Sequence, residues 1–324
     1  MDRRRFLLLA LAGALASPSI TEAQRAGKAY RIGFISNGGH RTHDPLRAAF
    51  LDGLREVGWV EATNVTMDVR WAEGDLRRHP QLTRDLVGRE VDVIVVAGTA
   101  AARAALEATR TIPIVVTAVG DPVAAGLVSS LARPGGNLTG LAWQASDLVT
   151  KQLQLLQEIS PVDDRLAVLA HASNATARAA VEGAARTLGL KFDVIDIDAP
   201  AAISAAFERI QRSRATMLLV LPSPMFFAER RRLTELAARH RVPAVYEVKE
   251  YVDDGGLLSY GPSFPTMYRR AASFVDRIFR GARPGDLPME QPTKFELSIN
   301  VRTARTLALQ IPPSLLLRAD QVVE

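Results

Sequence analysis

Apolar positions along this chain recur with two periods in turn, a short strand-like run and then a helical stripe. Tyr30 to Ile35 forms the first apolar run. From Asp44 to Val57 the residues Leu46, Ala49, Phe50, Leu54 and Val57 fall on one face of a helix. Val65 to Trp71 alternates as a strand, and Pro80 to Gly88 fits a helix. Val91 to Ala97 is a dense β-branched run of the kind buried on both faces of a parallel sheet. Thr99 to Thr109 is an Ala-rich helix with Thr99 positioned to cap it, and Ile112 to Thr117 is another strand.

Asp121-Pro122 and Arg133-Pro134-Gly135-Gly136-Asn137 then interrupt the rhythm, and Leu138 to Trp143 reads as a strand. From residue 147 the alternation resumes. Helices are expected over 147–159, 175–188, 200–213 and 226–240, and strands over Leu166–Leu169, Phe192–Ile197, Met217–Leu221 and Ala244–Tyr246. After Gly255-Gly256 come a strand (Leu257–Tyr260), a helix (Pro265–Arg280), a Pro/Gly loop, a strand (Phe295–Ile299) and a helix (Val301–Leu309).

This order predicts an α/β protein of two doubly wound, Rossmann-like lobes, since alternation of strand and helix implies right-handed crossovers onto a parallel sheet. A chain this long also exceeds what one hydrophobic core usually serves. The first lobe is expected over 28–140, completed by about 259–290, and the second over 141–258, completed by 291–324. The chain would then cross between lobes several times. Open α/β sheets bind ligands outside the carboxyl ends of their strands. Two such edges facing each other make a cleft that closes by hinge motion.

The first residues carry a different signal. Arg3, Arg4 and Arg5 precede an apolar run from Phe6 to Ala16, followed by small and polar residues ending in Thr21-Glu22-Ala23. These are the three parts of a secretory signal peptide over 1–23. The run is about 11 residues, too short to span a bilayer. Arg3-Arg4-x-Phe6-Leu7 suits a twin-arginine signal, and Sec export fits as well. The mature protein is expected to start near Gln24 and to work in the periplasm.

Composition narrows the chemistry. Formal charge is +5, and the Arg residues are interleaved with Glu and Ala on helices rather than gathered in a tract, which argues against a nucleic-acid partner. There are no cysteines, which removes a Cys nucleophile, a thiolate zinc site and a Cys-held cluster. No Gly-x-Ser-x-Gly elbow, Gly-x-Gly-x-x-Gly turn, Walker loop or His-Glu-x-x-His motif occurs. His40 and His43 beside Asp44 invite a metal reading that lacks further ligands. No cofactor or metal is expected.

Four stretches resemble one family. The run IPIVVTAVGDPVAAGLVSSLARPGGNLTGL, ending at Leu141, looks like the signature of ABC-transporter substrate-binding proteins, some of which bind tryptophan or tyrosine. GLLSYGPSFPTMYRRAA (Gly256–Ala272), the opening RIGFIS with AAFLDGLREVGW, and the closing QPTKFELSINVRTARTLAL with IPPSLLLRAD are similar to the same family. The resemblance covers essentially the whole mature chain. It implies a type I periplasmic-binding-protein fold, no catalysis, and delivery of a small solute to an ABC permease in the inner membrane. The expected form is a monomer.

Candidate binding residues sit at strand ends. Gly98, Thr99 and Ala100 open a helix directly after a buried strand, where free N–H groups favour a carboxylate. Ser173 and Asn174 occupy the matching place in the second lobe. Thr99 and Asn174 each read as a plain cap, a ligand contact or both. Ser36 and Asn37 precede Gly38-Gly39, where backbone can approach a ligand closely. Thr117 and Asp121 follow another strand, and Asp121 reads as an acceptor for a ligand amine or as a turn cap. Ser223 and Met225 lie at the mouth of the second lobe. The family pattern often places an Asp or Asn there, and Glu247 is a candidate to replace that acceptor. Trp143, Tyr246 and Tyr260 are candidate aromatic walls, against the alternative of core packing. The leading reading is an exported solute-binding protein for a small carboxylate, amino-acid-like and aromatic or branched. An exported α/β enzyme and a ligand sensor for a membrane receptor remain as alternatives. Amino-terminal sequencing of exported protein is expected to begin near Gln24. Recovery of soluble cytoplasmic protein still carrying Met1 contradicts export.

Overall fold

The computed structural model describes residues 29–39, 44–143, 145–160, 165–171 and 174–324. The segment read as an export signal, His40, His43 and Ser173 lie outside the described residues.

The first lobe runs β1 (Tyr30–Ser36), α1 (Pro45–Glu56), β2 (Val65–Trp71), α2 (His79–Gly88), β3 (Val93–Val96), α3 (Thr99–Ala108), β4 (Ile114–Val119) and β5 (Leu138–Ala142). Its strands are all parallel, in the order β2-β1-β3-β4-β5. Register puts Ile32 of β1 opposite Val93 on one side and Met67 on the other. The central β3 reads Val-Ile-Val-Val and is buried throughout, as a strand covered on both faces must be. The helix α1 starts where Asp44 accepts from the backbone N–H groups of Leu46 and Arg47 and Pro45 takes the first helical position.

The second lobe follows with α4 (Ala145–Ile159), β6 (Arg165–Ala170), α5 (Ala175–Leu188), β7 (Lys191–Asp196), α6 (Ile203–Arg212) and β8 (Met217–Val220). Next come α7 (Pro224–Ala228), α8 (Arg230–Arg239), β9 (Ala244–Tyr246), α9 (Lys249–Asp253) and β10 (Leu258–Gly261). The chain then returns to the first lobe, where α10 (Phe264–Phe279) packs on α1 and β4. It finishes in the second with β11 (Glu296–Asn300), α11 (Val301–Thr306), α12 (Pro313–Leu316) and β12 (Gln321–Val323). The second sheet has the order β12-β11-β10-β9-β8-β6-β7. The chain therefore passes between the sheets around residues 142–145, 261–264 and 290–296.

Three features depart from the sequence expectation. The helix expected over 226–240 is two helices, broken at Glu229, whose φ of −93° and ψ of 12° leave the helical range. The five-residue α9 is too short to show a periodic stripe. The strand β11 runs antiparallel to β10, pairing Ser298 with Ser259, because it re-enters the sheet from the other lobe. The other strand pairs of this sheet are parallel.

Each sheet carries apolar clusters on both faces. On the first, Phe34, Phe50, Leu54, Phe274 and Val275 pack beneath α1 and α10, while Leu86, Ile94, Ala105 and Val116 fill the opposite face. The α1–α10 contact is close enough that a Cβ on Gly53 lies 2.2 Å from the backbone oxygen of Arg269. Gly53→Val is thus expected to force these helices apart and to cost about 1–3 kcal/mol, as overpacking usually does. Chemical denaturation of the two proteins measures this, and equal midpoints contradict the packing.

Candidate ligand-binding site

The carboxyl ends of both sheets face one cavity of about 820 Å³. That lies within the range of about 300–1,000 Å³ common for small-molecule sites. The first lobe contributes the end of β1, the start of α3, the turn after β4 and Trp143 beyond β5. The second contributes the start of α5, the Pro222–Pro224 loop, the α7–α8 break and the β9–α9 turn. Aromatic side chains form much of the wall. Trp143 and Phe264 meet edge to face at 5.9 Å, Phe227 lies 5.8 Å from Phe264, and Phe34 and Tyr268 close the first-lobe side.

The lobes touch directly at the rim. Gly98 has a φ of +86°, and a Cβ there would come within 2.9 Å of Pro224 Cγ. Glycine is required at that position twice over, for its left-handed backbone and for the approach of Pro224. The 222–225 loop owes its stiffness to its two prolines, and Ser223 caps α7 by accepting from Met225 N at 3.3 Å.

Ser36, Asn37, Gly98, Thr99, Ala100, Asp121, Trp143, Asn174, Ser223 and Glu247 are brought to the cavity. Most of their polar atoms are engaged within the fold. Ser36 Oγ donates to Asp44 Oδ2 at 2.5 Å. Asn37 donates to Ala97 O at 3.3 Å, and its Oδ1 lies 2.9 Å from His79 Nε2. Burial holds His79 below the usual histidine range, so it is neutral at pH 7. Asp121 stands at a φ of +38° and accepts from Ser146 Oγ at 3.0 Å, and half-burial pushes its carboxyl up.

Two capping expectations are corrected. Gly98, not Thr99, is the N-cap of α3, and the Thr99 hydroxyl donates to Gly120 O at 3.4 Å. Asn174 precedes α5 without a side-chain cap bond. Its amide instead accepts from His171 N and donates to Pro222 O, both at 2.7 Å, and so ties the β6 loop to the β8 loop.

Four expected residues do not reach the cavity. Thr117 is fully buried against Val96 O and the Tyr268 hydroxyl, so it positions a wall residue instead of forming wall. Met225 points into the core beneath the second sheet. Tyr246 is buried there too, stacked on Tyr251 at 4.6 Å, and lies over Gly256, where a Cβ would stand 2.8 Å from its ring. Tyr260 packs against Phe295 at 6.1 Å, and its carbonyl accepts from Gln152. Thr117, Tyr246 and Tyr260 lie in strands, whose two-residue alternation turns them away from the gap, and Met225 is on the buried face of α7.

Other cavity residues escaped the sequence reading. Phe264 and Tyr268 stand one turn apart at the start of α10, which belongs to the other lobe's return path. Their i, i+4 spacing was the available signal. The Arg230–Arg232 run marks the α8 start. Arg230 Nε lies 2.8 Å from Asp254 Oδ2 as an ion pair, and its guanidinium covers the Phe227 ring at 4.8 Å. Glu250 stands three residues after Glu247, one turn along. Among the described residues, no group of acidic or histidine side chains is arranged to hold a metal.

Against known proteins, a family model described as ABC transporter substrate binding protein matches residues 32–323. The chain belongs to that family. Its members are solute-binding proteins, not enzymes, and they serve a transporter permease. A tyrosine-binding protein of Clostridioides difficile (strain R20291) is 25% identical over 274 residues, covering 84% of this chain and 79% of that one. Among solved structures, a conserved domain protein from Vibrio cholerae O1 biovar eltor superposes with a TM-score of 0.85 at 29% identity, over 91% of this chain and 100% of that one. An ABC domain in complex with L-Trp from Streptococcus pneumonia gives 0.83 at 24% identity, with the same coverage. The fold of this substrate-binding protein is that of type I periplasmic binding proteins.

Asn174→Ala removes the side chain that accepts from the part-buried His171 N–H and donates to the Pro222 carbonyl. It is expected to lower stability by about 1–3 kcal/mol. Thermal or urea unfolding checks this, and an unchanged midpoint contradicts the bridging role.

Proposed function

We propose that this protein is the exported, periplasmic solute receptor of an ABC importer. It captures a small carboxylate-bearing solute, amino-acid-like and aromatic or branched, and presents it to an inner-membrane permease. The observation that carries the reading is the aromatic-walled cavity between two carboxyl-terminal sheet edges. Phe34, Trp143, Phe227, Phe264 and Tyr268 offer a flat, apolar enclosure. Offset or edge-to-face contact with an aromatic ring adds to the gain from burial alone. The starts of α3 and α5 open on the same space from opposite lobes and supply free N–H groups for a carboxylate. The named ligands of the relatives, tyrosine and L-Trp, support the same class.

The protein acts as a monomer whose first 23 residues direct export. The two lobes open about the three chain passages and close on the solute. The test is a thermal-shift screen of amino acids, aromatic acids and sugars on the purified chain. Amino or aromatic acids are expected to raise the melting temperature, and a response to sugars alone contradicts the reading. Trp143→Ala is expected to weaken an aromatic ligand by about 0.5–1.5 kcal/mol or more, measured by calorimetric titration. Undiminished affinity contradicts an aromatic wall.

A further inference from the structure

The segment joining β2 to α2 touches both the cavity wall and the second lobe. Its near end is laced to residues 36–38, which line the cavity. Ala72 N–H donates to Ser36 O at 2.9 Å, Glu73 N–H to Gly38 O at 3.2 Å and Gly74 N–H to Asn37 O at 2.9 Å. His79, the first residue of α2, adds a side-chain bond, with Nε2 2.9 Å from Asn37 Oδ1. Asn37 Nδ2 donates to Ala97 O, so its oxygen faces His79 and the imidazole is the donor. The turn that follows is stiff. Gly74 bends the chain with a φ of +75°. Asp75 accepts from Arg77 N at 3.0 Å and from the Arg77 guanidinium at 2.8 Å, which locks the 3₁₀ turn Leu76–Arg78.

The far end leaves its own lobe. Leu76 packs on the second-lobe apolar cluster that holds Met225, Phe226 and Tyr251. A Cβ on Gly74 would lie 3.5 Å from that of Ala228, the last residue of α7. The exchange is mutual, since Phe227 of α7 packs on the first-lobe cluster as well as on its own. Pro224 meets Gly98 after β3 and Ala228 meets Gly74 after β2, so α7 lies along the carboxyl edge of the first sheet. The place of this contact in the sheet matters. The chain passages gather beside β5, where Ala142 N–H donates to Glu290 O at 2.9 Å and Trp143 meets Phe264. β2 is the opposite edge strand, so Leu76 crosses the cleft at the side away from the hinge. A contact there has the longest lever against opening and has to part whenever the lobes swing.

We infer that residues 72–79 are a closure strap, which ties the cavity loop 36–38 to the second lobe through Leu76 and holds the cleft shut. The backbone bonds make the strap follow the loop that lines the cavity, and the locked turn passes that position on to Leu76. Solute contact and lobe closure are thereby joined by one stiff segment. The inference rests on the solute-binding reading above and adds what fastens the closed lobes. The aromatic wall selects the solute, and the strap sets how long it stays. Unseating Leu76 therefore acts on dissociation, where affinity differences between variants of one site mostly fall.

Two variants attack the clasp from opposite sides. Leu76→Ser removes the apolar anchor, and Leu76→Met restores it. Ala228→Glu, at an exposed position, sets bulk and charge against Gly74 with Asp75 beside it. The chain has no cysteines, so spin labels at Arg84→Cys on α2 and Glu235→Cys on α8, both exposed, report the separation of the lobes. Without solute, Leu76→Ser and Ala228→Glu are expected to shift the distance distribution to longer values, and Leu76→Met to leave it as in the parent. Stopped-flow mixing with L-tyrosine and with L-tryptophan gives the rates. Dissociation is expected to quicken about tenfold in the two disrupted variants, with association within about twofold of the parent. Unchanged distances, or unchanged dissociation of a solute that binds, overturn the strap and leave the solute reading intact. Binding of neither amino acid to the parent counts against that reading, and the distances then decide the strap alone. Should Leu76→Ser fail to fold, Ala228→Glu carries the same comparison.

Discussion

The contact on which this structure depends is the one between Gly98 and Pro224, where the two lobes meet across the cleft. It lies at the rim of a walled cavity formed by the carboxyl ends of both sheets. The absence of a Cβ at Gly98 lets the proline ring seat itself there, and its φ of +86° launches α3 toward the cavity at the same point. One residue thus sets the approach of the lobes and the aim of a helix N-terminus. This couples packing to ligand recognition, because a solute held at the α3 start lies beside the closing contact.

The walls divide the labour. Aromatic rings supply apolar area, and most polar side chains hold loops in place. Asn174 ties the β6 and β8 loops together, Ser36 fixes the cap of α1, and Thr117 steadies Tyr268. A frame satisfied in this way costs little reorganisation when a ligand enters, which favours affinity. The buried carboxyls of Glu247 and Glu250 are the exception, each with one oxygen that has no hydrogen-bond partner among the described residues.

Much of the architecture could be read from local pattern. The dense run at Val91–Ala97 announced a parallel sheet, and of the α1 stripe Leu46, Ala49, Phe50 and Leu54 are buried while Val57 is partly exposed. Strand direction was not legible in β11, because its orientation is set by where the chain re-enters the sheet. The break at Glu229 was not read either, although the charged run Glu229–Arg232 interrupts the apolar spacing there. At the site, sequence located strand ends but not which way a side chain turns there. Glu247 faces the gap, and its neighbour Tyr246 is buried beneath the sheet. Phe264 and Tyr268 were missed because they come from α10, which reaches the cavity only after the chain changes lobes.

The central claim is that both lobes enclose one amino-acid-like solute. Native mass spectrometry of protein purified without refolding tests it most directly. The expected spectrum shows one adduct per chain, released on denaturation, with the mass of an amino acid or aromatic acid. A stoichiometric sugar or metal adduct contradicts the account.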